Sequence, residues 1–112
     1  MKKIEAIIRP ERLPAVKAAL EEIGYPGMTL YEVKGHGKEV GQTQQFRGQK
    51  YEIELLPKTK LEIVAIDEDV PTIISAIVRT ARTGQPGDGK IFVVPIDGAI
   101  RIRTGDRDIN AI

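Results

Sequence analysis

The chain has 112 residues, enough for one domain that buries roughly two thirds of its unfolded surface. Seventeen Lys and Arg against sixteen Asp and Glu leave a formal net charge of +1, which excludes a broad positive field for non-specific attraction of nucleic acid or an anionic membrane. The absence of cysteine removes disulfides and thiolate metal sites, and the single His36 cannot form a histidine metal cluster within one chain.

The N-terminal Met1-Lys2-Lys3-Ile4 runs straight into a strand pattern, Lys3 to Ile8, and no apolar run approaches membrane-spanning length, so the cytoplasm is the expected location. Leu13, Val16, Leu20 and Ile23 recur at helical spacing; Pro14 falls early, where a missing N–H costs little, and Gly24, Pro26 and Gly27 end the helix. A second strand is expected from Met28 to Lys34. The connection after it, from about His36 to Pro57, uses about twenty polar residues where a few would suffice, and connections of that length are usually functional or disordered. Its tip, Gly41-Gln42-Thr43-Gln44-Gln45, reads equally as a passive flexible loop, while Tyr51 to Leu55 alternates in strand fashion and makes the loop partly a hairpin. A third strand covers Lys60 to Ala65, and Val70, Ile73, Ile74, Ile77, Val78 and Ala81 predict a second helix that contains Pro71 and stops at Gly84 with Pro86. A fourth strand is expected from Lys90 to Ile96, and Ala99-Ile100-Arg101-Ile102-Arg103 alternates as a short extra strand.

The second half repeats the first at an offset of 57 residues: Lys3-Ile4-Glu5-Ala6-Ile7-Ile8 lies over Lys60-Leu61-Glu62-Ile63-Val64-Ala65, and Glu11, Pro14 and Ala19 fall on Glu68, Pro71 and Ala76. Two β-α-β units in tandem predict an α+β, ferredoxin-like double β-α-β sandwich: a four-stranded sheet with two helices on one face, a long loop between strands 2 and 3, and the short C-terminal strand.

The run Thr83-Gly84-Gln85-Pro86-Gly87-Asp88-Gly89-Lys90 has the composition of an anion cradle, with three glycines that bring backbone N–H groups close to a ligand and one lysine for charge. It satisfies G-x-x-x-x-G-K from Gly84 to Lys90, but Ile91 stands where a P-loop needs Ser or Thr, and the loop runs from helix to strand rather than from strand to helix. By itself such a run also reads as a plain turn.

Two segments carry a resemblance to a known family. Thr83-x-x-x-Gly87-Asp88-Gly89-Lys90-Ile91-Phe92-Val93 resembles the C-terminal signature of the PII nitrogen-regulatory signal proteins at every defined position. Phe46-Arg47-Gly48-Gln49-Lys50-Tyr51 is similar to that family's loop signature, with Phe46, Gln49 and Lys50 as departures, and Val33-Lys34-Gly35-x-Gly37 and Arg101-Ile102-Arg103-Thr104-Gly105 also resemble it. The resemblance covers the whole chain. It implies a single domain, 1–112, with a T-loop at about 36–55, a B-loop at about 82–90 and a C-loop at about 101–105. It further implies a homotrimer with ATP or ADP, and AMP as a further candidate, in each cleft between subunits, and a T-loop that docks on protein targets.

Carried over residue by residue, the resemblance implies phosphate contacts from Gly87, Asp88, Gly89 and Lys90, with Arg101 and Arg103 reaching the same phosphates across the interface. It places Ile7, Thr29, Glu62 and Val64 around the adenine, with Gly35, Gly37 and Lys38 completing the nucleotide site. Arg residues at i and i+2 of a strand share a face, so two guanidinium forks can meet one polyphosphate. Without the glycine loop the same pair reads as a solvated basic edge that blocks sheet aggregation, and Ile7 and Val64 read equally well as core.

Lys58 matches the family's 2-oxoglutarate-pairing lysine, and Tyr51 aligns with a tyrosine that some members have uridylylated. Family targets include an ammonium channel and nitrogen-metabolism enzymes; the channel implies recruitment of a cytoplasmic protein to the membrane without a spanning segment of its own. At the position of the family's magnesium-ligating glutamine stands Glu39. A carboxylate is a good magnesium ligand, but it adds negative charge beside a triphosphate and a dicarboxylate. The expectation is that ATP is kept and 2-oxoglutarate is lost.

Two other classes compete. Lys34-Gly35-His36-Gly37 is faintly similar to the start of an RNA-binding RNP1 motif, but Lys38-Glu39-Val40 stands in place of the stacking aromatics, so no nucleic acid partner is expected. A nucleotide-dependent transferase or ATPase of the same fold would use Lys90, Asp88 and Glu62, yet catalysis needs a positioned base or nucleophile and no catalytic motif is present. A regulator rather than an enzyme is expected, with at most slow ATP hydrolysis.

Overall fold

The computed structural model describes residues 1–35 and 55–112. Strand β1 (Lys2–Ile8) leads through a 3-10 turn, Pro10–Arg12, into helix α1 (Leu13–Glu22), and strand β2 (Thr29–Gly35) comes next. Strand β3 (Leu56–Ala65), a second 3-10 turn at Asp67–Asp69, helix α2 (Val70–Ala81) and strand β4 (Gly89–Pro95) repeat that order. All neighbouring strands are antiparallel and the sheet order is β2-β3-β1-β4, the ferredoxin-like arrangement expected from the repeat.

The two central strands are the two copies of one sequence, and their alternation decides which face is covered. Ile4, Ala6 and Ile8 of β1 and Leu61, Ile63 and Ala65 of β3 are buried beneath Val16, Ala19 and Leu20 of α1 and Val70, Ile73, Ala76, Ile77 and Ala81 of α2. The intervening residues, Lys3, Glu5 and Ile7 with Lys60, Glu62 and Val64, line the opposite, open face of the sheet.

The helices are fastened to each other at both ends. Arg12 donates two bonds to the Thr80 carbonyl, at 2.9 and 2.6 Å, placing a cation at the C-terminal end of α2, where the helix dipole favours it. At the other end the Tyr25 hydroxyl donates to the Asp69 carboxylate, and burial together with that bond pushes the phenol up to about 12. The beginning of each helix thus meets the end of its partner, and the pair runs antiparallel.

Pro14 and Pro71 occupy the first turns as expected, and α1 ends at Gly24 (φ 89°), where the Tyr25 N–H bonds the Leu20 carbonyl at 2.8 Å as in a Schellman cap. α2 departs from expectation. It stops at Ala81 because Arg82 is already extended (φ −69°, ψ 130°), so Gly84 belongs to the next loop and caps nothing. The segment Ala99–Arg103 is likewise not a strand. A single bridge, Ile100 with Arg107, and bonds from the Arg101 N–H to the Asp106 carbonyl (2.9 Å) and from the Gly105 N–H to the Arg101 carbonyl (2.7 Å) close it into a hook. Its alternation is real, but among the described residues it pairs with no strand. The expected strand pattern from Tyr51 lies outside the described residues up to 54, and β3 begins at Leu56.

Where β4 leaves the glycine-rich loop it runs hard against β1. Gly89 has φ +108°, and a Cβ there would lie 1.7 Å from the Ile7 carbonyl oxygen, a clash with backbone that no rotamer relieves. Gly89→Ala is therefore expected to lower stability by at least about 2 kcal/mol, read as a fall in the urea midpoint at unchanged slope. A midpoint equal to that of the parent protein contradicts this close approach.

Candidate functional site

The loop between α2 and β4 is held by its own aspartate. One oxygen of Asp88 accepts the Thr83 hydroxyl and the Arg9 Nε, the latter at 3.0 Å; the other accepts the N–H groups of Thr83 and Gly84 at 2.8 and 2.9 Å. The Thr83 hydroxyl foremost, then the Thr83 N–H, Arg9 and the Gly84 N–H hold the carboxyl well below the usual carboxylate range against the opposing cost of burial. Asp88 thus closes the loop as a ring. Its oxygens are already engaged from within the chain, a position that suits a brace better than a ligand-facing acid.

Two cations grip the loop's carbonyls from the sheet. Arg9, one residue past β1, donates to the Pro86 carbonyl at 2.7 Å, and Lys58 of β3 donates to the Gly87 carbonyl at 2.6 Å. Gly87 has φ +97° and lies close to both, since a Cβ on it would be 3.3 Å from Arg9 Nη2 and 3.6 Å from Lys58 Nζ. Lys90 is exposed at the start of β4 and makes no ion pair among the described residues. Glycine backbone, a lysine and a rigid frame form a surface suited to a phosphate.

The register shows which candidate residues meet. Tyr31, Lys60, Ile7 and Lys90 form one row across the open face, so Ile7 stands beside Lys90 at the loop end of the sheet. Thr29, Glu62, Glu5 and Phe92 form the next row, with Thr29 on edge strand β2 and the loop on the opposite edge, three inter-strand steps or about 14 Å away. Val64 pairs with Lys3, four residues along β1 from Ile7, or about 13 Å. Gly35 pairs with Leu56 at the end of β2. Arg101 and Arg103 lie in the hook beyond the far end of β4, which carries the chain about 20 Å from the loop, and Arg101 pairs with Asp106 at 3.7 Å. The candidates therefore form two sets: Ile7, Gly87, Gly89 and Lys90 at the loop, and Thr29, Glu62, Val64, Arg101 and Arg103 away from it. Gly37, Lys38, Glu39 and Tyr51 lie outside the described residues.

Between the two sets is a charge lattice that single-sequence reading missed. Glu62 accepts the Tyr31 hydroxyl at 2.8 Å and faces Lys3 at 3.4 Å; Lys3 also meets Glu5 at 2.9 Å, and Lys60 lies 3.8 Å from both carboxylates. Glu5 and Glu62 stand directly opposite in the register, so the lysines of the duplicated Lys-x-Glu pattern offset a like-charge pair. The Tyr31 bond, followed by the lysines, holds the Glu62 carboxyl below its ordinary value, while the same bond raises the Tyr31 phenol. The signal was in the repeat, since Lys3-Ile4-Glu5 and Lys60-Leu61-Glu62 coincide. Arg9 gave no such signal, because its partners are 77 and 79 residues away. Among the described residues no three acidic or histidine side chains gather for a metal ion, and no helix is long and apolar enough to cross a membrane.

Comparison with known proteins converges on one family. The family model described as nitrogen regulatory protein P-II matches residues 1–106. Among curated proteins, the nitrogen regulatory protein P-II 2 of Methanothermobacter thermautotrophicus is 54% identical over 112 residues, covering 100% of this chain and 97% of its own. The nitrogen regulatory proteins P-II of Klebsiella oxytoca and Synechocystis sp. are 53% and 51% identical over 112 residues, with 100% of both chains covered in each case. With a family match across nearly its whole length and relatives of this identity, the chain belongs to the P-II nitrogen regulatory protein family.

Proposed function

We propose that this chain is the subunit of a homotrimer that binds an adenine nucleotide between subunits and regulates nitrogen-metabolism proteins through the loop at 36–55. The observation that carries the reading is the division of the candidate residues. One chain holds a braced phosphate loop with Ile7 and Lys90, and it holds Thr29 and Glu62 across the sheet from that loop and Val64, Arg101 and Arg103 farther along it. A second copy supplies the missing set, and a cyclic arrangement supplies it at every loop. The apolar side chains left in solvent support such an assembly: Phe92, Val93 and Val94 on edge strand β4, Leu30 and Tyr31 on β2, and Ile102 in the hook, 99% exposed.

ATP or ADP, with AMP as a further candidate, fits this chemistry. Gly87, Gly89 and Lys90 meet the phosphates with N–H groups and one ammonium; the neighbouring subunit's hook meets them with two guanidinium forks, and Ile7 and Val64 offer apolar surface to the base. Asp88 contributes by holding the loop. The site signals rather than turns over, because the loop's one carboxylate is engaged in its own brace and the family relatives are named as regulatory proteins. A transferase or ATPase would show multiple turnovers of ATP in a phosphate-release assay. The protein acts in the cytoplasm on targets such as an ammonium channel, which would recruit it to the membrane, or a nitrogen-metabolism enzyme; Tyr51 is a modification candidate in the docking loop.

Magnesium and 2-oxoglutarate would meet at Glu39 and Lys58. Lys58 already donates to Gly87, and although its ammonium has further protons for a carboxylate, Glu39 brings a third anion to a metal with two positive charges and six ligand positions. The switch is therefore ATP against ADP or AMP.

Lys90→Ala removes one charge-assisted contact of about 1.5 to 3 kcal/mol, and calorimetry is expected to show ATP binding weakened about ten- to a hundredfold. Unchanged affinity in a folded variant places the nucleotide elsewhere. With Mg-ATP present, 2-oxoglutarate is expected to bind weakly or not at all, and Glu39→Gln to restore it with ATP affinity little changed; submicromolar 2-oxoglutarate binding by the parent protein contradicts the assignment.

A further inference from the structure

We infer that Arg9 is a positioning residue for the phosphate loop, acting through Asp88 and the Pro86 carbonyl to hold the loop in its ligand-ready shape before any nucleotide arrives. The inference rests on the proposed nucleotide site and goes beyond it to a residue outside the glycine signature.

Three glycines within six residues give the loop wide backbone freedom, so a loop ordered only by its ligand would lose that freedom at the moment of binding and weaken it. Here the order is built in. Asp88 ties the loop's end to its beginning by accepting the N–H groups of Thr83 and Gly84, and the carboxylate is aimed by Arg9. Arg9 starts from the end of a central strand, one residue past Ile8, which is 2% exposed and packed in the core, so its backbone is fixed. Its guanidinium is only about a quarter exposed and makes two bonds with different nitrogens: Nε to the Asp88 carboxylate at 3.0 Å and Nη2 to the Pro86 carbonyl at 2.7 Å. The first fixes the ends of the loop and the second fixes its middle, beside Gly87.

The planar fork explains why the residue is arginine. A lysine carries the same charge on a single atom, and from the same backbone it reaches the carboxylate or the carbonyl without the fixed geometry that serves both. The bonded nitrogens face protein oxygens, so the role of Arg9 is to place the N–H groups of the loop, and the phosphate contact belongs to Gly87, Gly89 and Lys90. A network of this kind predicts coupling: once the carboxylate of Asp88 is gone, removing Arg9 has little left to disturb.

The test uses the full chain as assembled, with ATP and adenosine as calorimetric probes, in the parent protein, Arg9→Gln, Asp88→Asn, the double variant and Arg9→Lys. Arg9→Gln and Asp88→Asn are each expected to weaken ATP about tenfold while adenosine binding stays within about twofold, and the double variant is expected to bind ATP no more weakly than the worse single one. Arg9→Lys is expected to recover only part of the loss. Unchanged ATP affinity in Arg9→Gln overturns the inference, as does full recovery with lysine; so do multiplying losses in the double variant, which would make Arg9 an independent phosphate contact.

A second readout needs no nucleotide. The amide resonances of Thr83 and Gly84 are expected to shift in Arg9→Gln and in Arg9→Lys while those of core residues such as Ile63 stay in place, and silent Thr83 and Gly84 amides in a folded variant overturn the inference. If the parent protein binds neither probe, the nucleotide reading fails, and these amide shifts alone decide whether Arg9 sets the loop.

Discussion

The loop that carries the candidate site is placed by the contact between Gly89 and the Ile7 carbonyl, where β4 comes so close to β1 that a side chain has no room. That contact sets the register: Lys90 falls beside Ile7 on the open face, and Asp88 falls within reach of Arg9. The glycine that an anion-cradle reading assigns to phosphate approach is thus also required by the sheet. Gly87 differs, since its neighbours are the ends of two flexible cationic side chains, Arg9 and Lys58, rather than backbone.

Duplication gives the domain its frame and its breaks from symmetry give it a site. β1 and β3 pair as equivalents at the centre, the two Lys-x-Glu patterns interlock on the open face, and each helix carries a proline in its first turn and is bound at its ends to the other. The halves differ in the connection from helix to second strand. The first, residues 23–28, turns at the Gly24 cap; the second, residues 82–88, is closed on itself by Asp88. Because the equivalent strands run antiparallel about the Glu5–Glu62 pair, equivalent residues to either side of that pair lie toward opposite ends of the sheet, which is why Ile7 and Val64, a matched pair in sequence, are separated. The same symmetry that builds the fold leaves the candidate residues in two separate sets on one chain.

The frame was legible because local signals agree with tertiary packing. Helical spacing in Leu13 to Ile23 and Val70 to Ala81, strand alternation in Lys3 to Ile8 and Lys60 to Ala65, and Gly24 with Pro26 all named elements that the structure contains. Where local pattern lacked a tertiary partner, the reading failed. Ala99 to Arg103 alternates without a neighbouring strand among the described residues and curls into a hook, and α2 ends before its glycine. Within the candidate site, the glycine run was visible as a motif, whereas the brace was not: Arg9 and Lys58 are single basic residues in sequence, and their value comes only from the turn of the chain that brings Pro86, Gly87 and Asp88 to them. For Asp88 the resemblance implies a ligand contact, and the structure adds the bonds by which the loop itself uses the carboxylate.

The central claim is that each nucleotide site is shared, with the loop and Lys90 from one subunit and Arg101 and Arg103 from the next. Subunit mixing tests it most directly. Lys90→Ala chains and Arg101→Ala/Arg103→Ala chains, each weakened as pure assemblies, are co-assembled in equal amounts and titrated with ATP. In a ring of shared sites, about one site in four receives an intact loop from one chain and intact arginines from its neighbour, so about a quarter of the sites regain the parent affinity. Mixed assemblies in which no site regains it, or a parent protein with a monomeric mass by light scattering, would contradict the account.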